Sequence, residues 1–137
     1  MSVKERTQDL NMVVELIRTH LSENLKDNEL CKDICSVVAV NLRRVHADAE
    51  QSAKAWDKRT FFSKADDLRT EMAWAAPLAQ IVEAMAYSAK KFDAADCARL
   101  NDLLPDFLEM PLKQRFKDVG VLRGAAAAAR STLLKKK

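Results

Sequence analysis

The chain has 137 residues, 48% of them hydrophobic and 31% charged, which suffices for one hydrophobic core and predicts a single domain over residues 1–137. That composition excludes a disordered tail, and no apolar run approaches the ~20 residues a membrane-spanning helix needs. The net charge of +3 is uneven: residues 1–91 set 14 Lys/Arg against 14 Asp/Glu, 92–109 set Arg99 against five acids, and 110–137 set eight basic residues against Asp118 alone.

The pattern is helical throughout, with no alternating stretch that competes as a strand. Val3, Thr7, Leu10, Val14, Ile17 and Leu21 recur at steps of four and three, which places them on one face of a first helix. Lys26-Asp27-Asn28 interrupts it, and Asp27 or Asn28 can cap the next. Cys31, Cys35, Val38, Leu42, Val45, Ala49, Ser52 and Trp56 then form a second stripe, whose spacing fails at residues 57–60.

A third stripe runs Phe61, Ala65, Leu68, Met72, Ala75, Ala79, Val82, Ala86 and Ala89. Pro77 lies inside it, and the unbroken register on both sides predicts a bent helix. Asp93 and Asp96 carry the spacing of a capping box for a short helix of about 94–104, which Pro105 ends. Pro111 suits the first position of a last helix with Leu112, Phe116, Val119, Leu122, Ala126, Ala129 and Leu133 on its core face. The expectation is all-α: an antiparallel four-helix bundle with a Pro77-bent third helix and a short extra helix before the last one.

Both glycines of the chain fall in "DVGVLRGAAAAARSTL" (118–133), where each costs a helix about 1 kcal/mol relative to alanine. On a continuous helix Gly120, Gly124 and Ala128 form a smooth strip beside the apolar stripe. That is a seam for close approach of another helix, within the fold or between subunits. Arg123 and Arg130 would reach past this seam toward carboxylates or phosphates on its rim.

Chemistry-bearing patterns are sparse. Cys31 and Cys35 share the stripe of Val38 and Leu42, so they read as small buried hydrophobes, and the spacing matches no zinc signature. The Glu-x-x-His pairs of a di-iron bundle are absent at His20 and His46. Nucleotide, hydrolase and metalloprotease motifs are missing too, so no metal, cofactor or catalytic residue is expected.

Two surface features remain. Lys113, Arg115 and Lys117, with the three terminal lysines, could meet an acidic partner or phosphates. Phe62 and Trp74 lie off the core stripes and would mark a partner site if exposed, as would "LLPDFLEMP" (103–111). The N-terminus MSVKERTQDL is charged where a signal peptide is apolar, so a cytoplasmic location and no membrane partner are expected. The reading is a non-enzymatic protein-interaction module: an adaptor, assembly factor or small subunit that binds a protein partner or itself. The alternative is a small helical subunit contacting nucleic acid through a basic C-terminal helix.

Overall fold

The computed structural model describes residues 3–111 and 113–135, with side chains through Arg130. Leu112, Leu133 and the terminal lysine side chains therefore lie outside the described residues. Those described are helical or irregular, with no strand among them. No helix among them is long and apolar enough to cross a membrane.

Helix α1 spans 3–23 in three parts: α-helical over Val3–Glu15, π-helical over Leu16–His20, and a last α-turn over Leu21–Glu23. Its core contacts come from Val13, Leu16, Ile17 and Leu21. Val3 and Thr7, assigned to the stripe by their spacing, are exposed.

Helix α2 (Asn28–Lys58) begins where the Asp27 carboxylate accepts the N–H of Leu30 at 3.1 Å, an N-cap. At 31 residues it is about 46 Å long. It is the central element and packs on α1 and on the later helices at Phe62–Met72, Ala75–Tyr87 and Ala125–Lys135. Residues 30–42 are consequently buried on more than one face, Leu30 and Ile34 as well as the Cys31/Cys35/Val38/Leu42 stripe.

The helix stops in a Schellman motif. The N–H of Phe61 donates to the carbonyl of Trp56 at 2.9 Å and that of Thr60 to Asp57 at 2.9 Å. Thr60 takes the left-handed position at φ 63°, where glycine is the usual occupant. The apolar contact that accompanies such motifs is the edge-to-face pair of Trp56 and Phe61, 5.8 Å between centroids. Phe61 therefore packs on the helix end and stays exposed, instead of entering the core as its spacing predicted.

Helices α3 (Phe62–Met72) and α4 (Ala75–Tyr87) are the two parts of the predicted third helix, joined by Ala73 and Trp74, which both keep right-handed helical dihedrals. The proline ring would clash with the carbonyl four residues back, which belongs to Ala73. The helical hydrogen-bond ladder is interrupted at Ala73–Trp74 while the backbone stays right-handed, so Pro77 becomes the third residue of α4, where no N–H is needed. The two helices run back along α2, antiparallel to it: Met72 packs with Val45 and Ala49, Glu83 pairs with Arg43, and Tyr87 bonds Ser36. Lys32 closes the end of α4, its ammonium donating to the carbonyls of Met85, Ser88 and Lys90.

Helix α5 (Ala94–Leu103) starts with the full capping box: Asp93 accepts from Asp96 N–H at 2.9 Å, and Asp96 accepts from Asp93 N–H at 3.2 Å. It ends ahead of Pro105. The last helix departs most from expectation. Residues 104–118, as far as described, form no helix or strand; a 3-10 turn follows over Val119–Leu122, and α6 covers only Ala125–Lys135.

The strip Gly120/Gly124/Ala128 therefore does not exist as one helix face. Gly120 sits in the 3-10 turn, its N–H donating to Asp118, and Gly124 has φ +91°, which stops any helix from running through it. A side chain added at Gly124 would meet nothing within 4 Å, so close approach of another helix is not what keeps glycine there.

Candidate partner-binding site

Two buried carboxylates hold the C-terminal quarter of the chain in place. Glu15, 2% exposed, accepts the N–H of Arg115 at 2.7 Å on one oxygen. Its other oxygen accepts the N–H of Phe116 at 3.0 Å and Nε2 of His20 at 2.8 Å. His20 is 3% exposed, and the Phe116 ring stands edge-on to it at 5.9 Å. Burial, the largest single influence on Glu15, opposes its charge. The Arg115 amide, His20 and the Phe116 amide together outweigh burial and hold the carboxyl below its ordinary range.

The second carboxylate is Asp33 on α2, which accepts the N–H of Gly124 at 3.0 Å and of Ala126 at 2.9 Å. It caps α6 from a different helix, satisfying first-turn donors that no nearby side chain reaches.

These two anchors turn residues 104–118 into a strap across α1. Phe116 faces inward while Lys113, Arg115 and Lys117 face solvent, and no ion pair engages these three among the described residues. Between strap and helix lies a groove of about 540 Å³, with Thr7, Leu10 and Asn11 on one wall and Phe107, Met110 and Pro111 on the other. Phe107 is 56% exposed and Met110 48%. Lys113, Arg115 and Glu109 also line it. The "LLPDFLEMP" segment and two of the three basic residues thus meet at one place.

The other candidate residues are dispersed. Arg123 is engaged by Asp27, whose carboxyl it holds below the ordinary range through their hydrogen bond. Arg130 donates to the carbonyl of Tyr87 at 2.7 Å and lies over its ring. Both arginines tie the last segment to the fold instead of extending past a seam. Phe62 is 58% exposed. Trp74 is half-buried between the two core clusters, and its buried indole N–H has no hydrogen-bond partner.

Cys31, Cys35 and Cys97 are free and buried. Burial pushes the Cys31 thiol up to about 11, and that of Cys35 further. Among the described residues, no cluster of three or more His, Cys, Asp or Glu is arranged to hold a metal ion.

The Glu15–His20 pair is the feature that sequence reasoning missed. Residues five apart are 140° apart on an α-helix at 100° per residue, so no α-helical pattern joins them. The π-turn brings them to one side. Comparison with protein-family models, with curated proteins and with solved structures found no match.

Proposed function

We propose that this chain, a bundle of helices gathered on α2, is a non-enzymatic interaction module. Its partner is a protein segment carrying apolar and acidic side chains, held in the groove between α1 and the strap. The observation that carries this reading is that exposed Phe107 and Met110 line one groove with Lys113 and Arg115, which form no ion pair among the described residues. An apolar anchor ringed by charge is how partner sites obtain affinity and orientation together. The internal carboxylates fit the non-enzymatic part of the reading, since Glu15 and Asp33 spend their acceptor capacity on backbone N–H groups and His20.

A photo-crosslinking residue at Phe107 of the full chain, used in cells, tests the reading. One discrete protein adduct, lost on Met110→Asp and weakened by Lys113→Glu with Arg115→Glu, is the expected result. An adduct of twice the chain mass, matched by a dimer in light scattering, would make the partner a second copy.

Contact with nucleic acid is the second reading, favoured by the absence of any acid from residues 110–117. Adducts that disappear on nuclease treatment and survive Met110→Asp would establish it in place of the first.

A further inference from the structure

The turn between α2 and α3 lies outside the groove and carries a different surface. Between Ala53 and Met72 the only buried residue is Ala65, so the ends of these two helices form an arm with almost no core of its own. Phe61 and Phe62 are both exposed at its tip, 43% and 58%. Residues 54–64 hold Lys54, Lys58, Arg59 and Lys64 against the single acid Asp57, and Arg69 already binds Asp57 at 2.8 Å. Arg69 also pairs with Glu50 and lies 3.8 Å from Asp66; the acids Asp66, Asp67 and Glu71 follow on α3, and Lys54, Lys58, Arg59 and Lys64 form no ion pair among the described residues.

The aromatic and basic groups alternate along residues 56–64 and meet in space. The Arg59 guanidinium lies 5.5 Å from the Trp56 ring centre and 5.3 Å from that of Phe61. The Lys64 ammonium lies 4.8 Å and 5.4 Å from the same two rings. The Schellman motif fixes the backbone between them.

We propose that this tip binds the surface of an anionic lipid membrane, with Phe62 and the edge of Phe61 entering the interface and Lys54, Lys58, Arg59 and Lys64 meeting lipid phosphates. Three observations select that occupant. The surface is a projecting tip, so its partner must conform to it, as a lipid interface does. Its apex is apolar and its flanks cationic, the order in which an anionic bilayer presents the complementary layers. Finally, the cations already lie over the Trp56 and Phe61 rings, which disfavours these rings as stacking platforms for nucleic-acid bases. Adsorption of this kind needs no spanning segment, so the absence of one in the sequence does not bear on it.

Co-sedimentation of the full chain with vesicles tests the proposal, using about 30% phosphatidylserine in phosphatidylcholine at roughly 0.1 M salt. Binding should weaken as salt rises and be lost on pure phosphatidylcholine. Arg59→Glu with Lys64→Glu should weaken it at least about 25-fold, taking about fivefold per cation removed. Phe62→Ser should weaken it about tenfold, and its unchanged circular dichroism would show that the fold is intact. Met110→Asp in the groove should leave vesicle binding unaltered.

No binding to the anionic vesicles overturns the proposal, as does binding that ignores the tip substitutions or is equal on neutral lipid. Tighter, tip-dependent binding to a single-stranded oligonucleotide of about 20 nucleotides also overturns it, and assigns the arm to nucleic acid.

Discussion

The Glu15 carboxylate places a negative charge in the interior and surrounds it with donors from three residues. Because its folded-state pKa lies below the free value of 4.5, the interaction contributes its full stability above that value. It is lost as pH falls through the lower folded-state value. Amide resonances of Arg115 and Phe116 should therefore hold constant at neutral pH and titrate together in acid, below the free carboxylate range. Glu15→Ala, which removes one partner of a buried pair, should cost about 3 kcal/mol in chemical denaturation, more than Glu15→Gln. An unchanged midpoint for Glu15→Ala would show that the strap is held by something else. The thiols make a complementary case. With Cys31 raised to about 11 and Cys35 higher, both should resist alkylation in the native protein at pH 8 and react fully in denaturant. Their burial was legible from a stripe shared with Val38 and Leu42. The Glu15–His20 contact was not, because it depends on a local change of helix period that no spacing rule anticipates.

At the scale of elements, the two left-handed residues offer opposite predictions. Gly124 is held at φ +91° in open space, so Gly124→Ala should destabilise by about 1–2 kcal/mol through backbone strain alone. Thr60 is a β-branched residue at φ 63°, so Thr60→Gly should raise the melting temperature despite the added flexibility of the unfolded chain. Equal melting temperatures for Gly124→Ala and the parent would contradict the break before α6. The helices whose starts were legible in the sequence, α2 and α5, are those whose caps lie within a few residues: Asp27 for α2, Asp93 and Asp96 for α5. The start of α6 could not be read in this way. Its cap, Asp33, is 91 residues from Gly124, and Glu15 is 100 residues from Arg115. A stripe such as Phe116, Val119 and Leu122 satisfies helical spacing equally well when the backbone donors go elsewhere. At Pro77 the unbroken register accords with the backbone, which stays right-handed through Ala73 and Trp74 while the hydrogen-bond ladder is interrupted there.

The whole molecule is organised by α2, whose several packed faces explain why its apolar stripe was broad and easily recognised. The partner groove was less legible, because it joins residues 7–11 to residues 107–115 across a fold that the stripes alone do not specify. That same dependence on distant segments has a consequence for biosynthesis. As the chain leaves the ribosome, Glu15 and Asp33 emerge roughly 90–100 residues before the amides that satisfy them, a delay on the order of 10 s at about 5–20 residues per second. During that interval Glu15 has His20 beside it but lacks its two backbone donors, and Asp33 lacks both of its own, so closing α1 and α2 over these carboxylates is disfavoured. That side of the interior gains its backbone partners only once residues 115–126 have been made, so these contacts form late in the chain's synthesis.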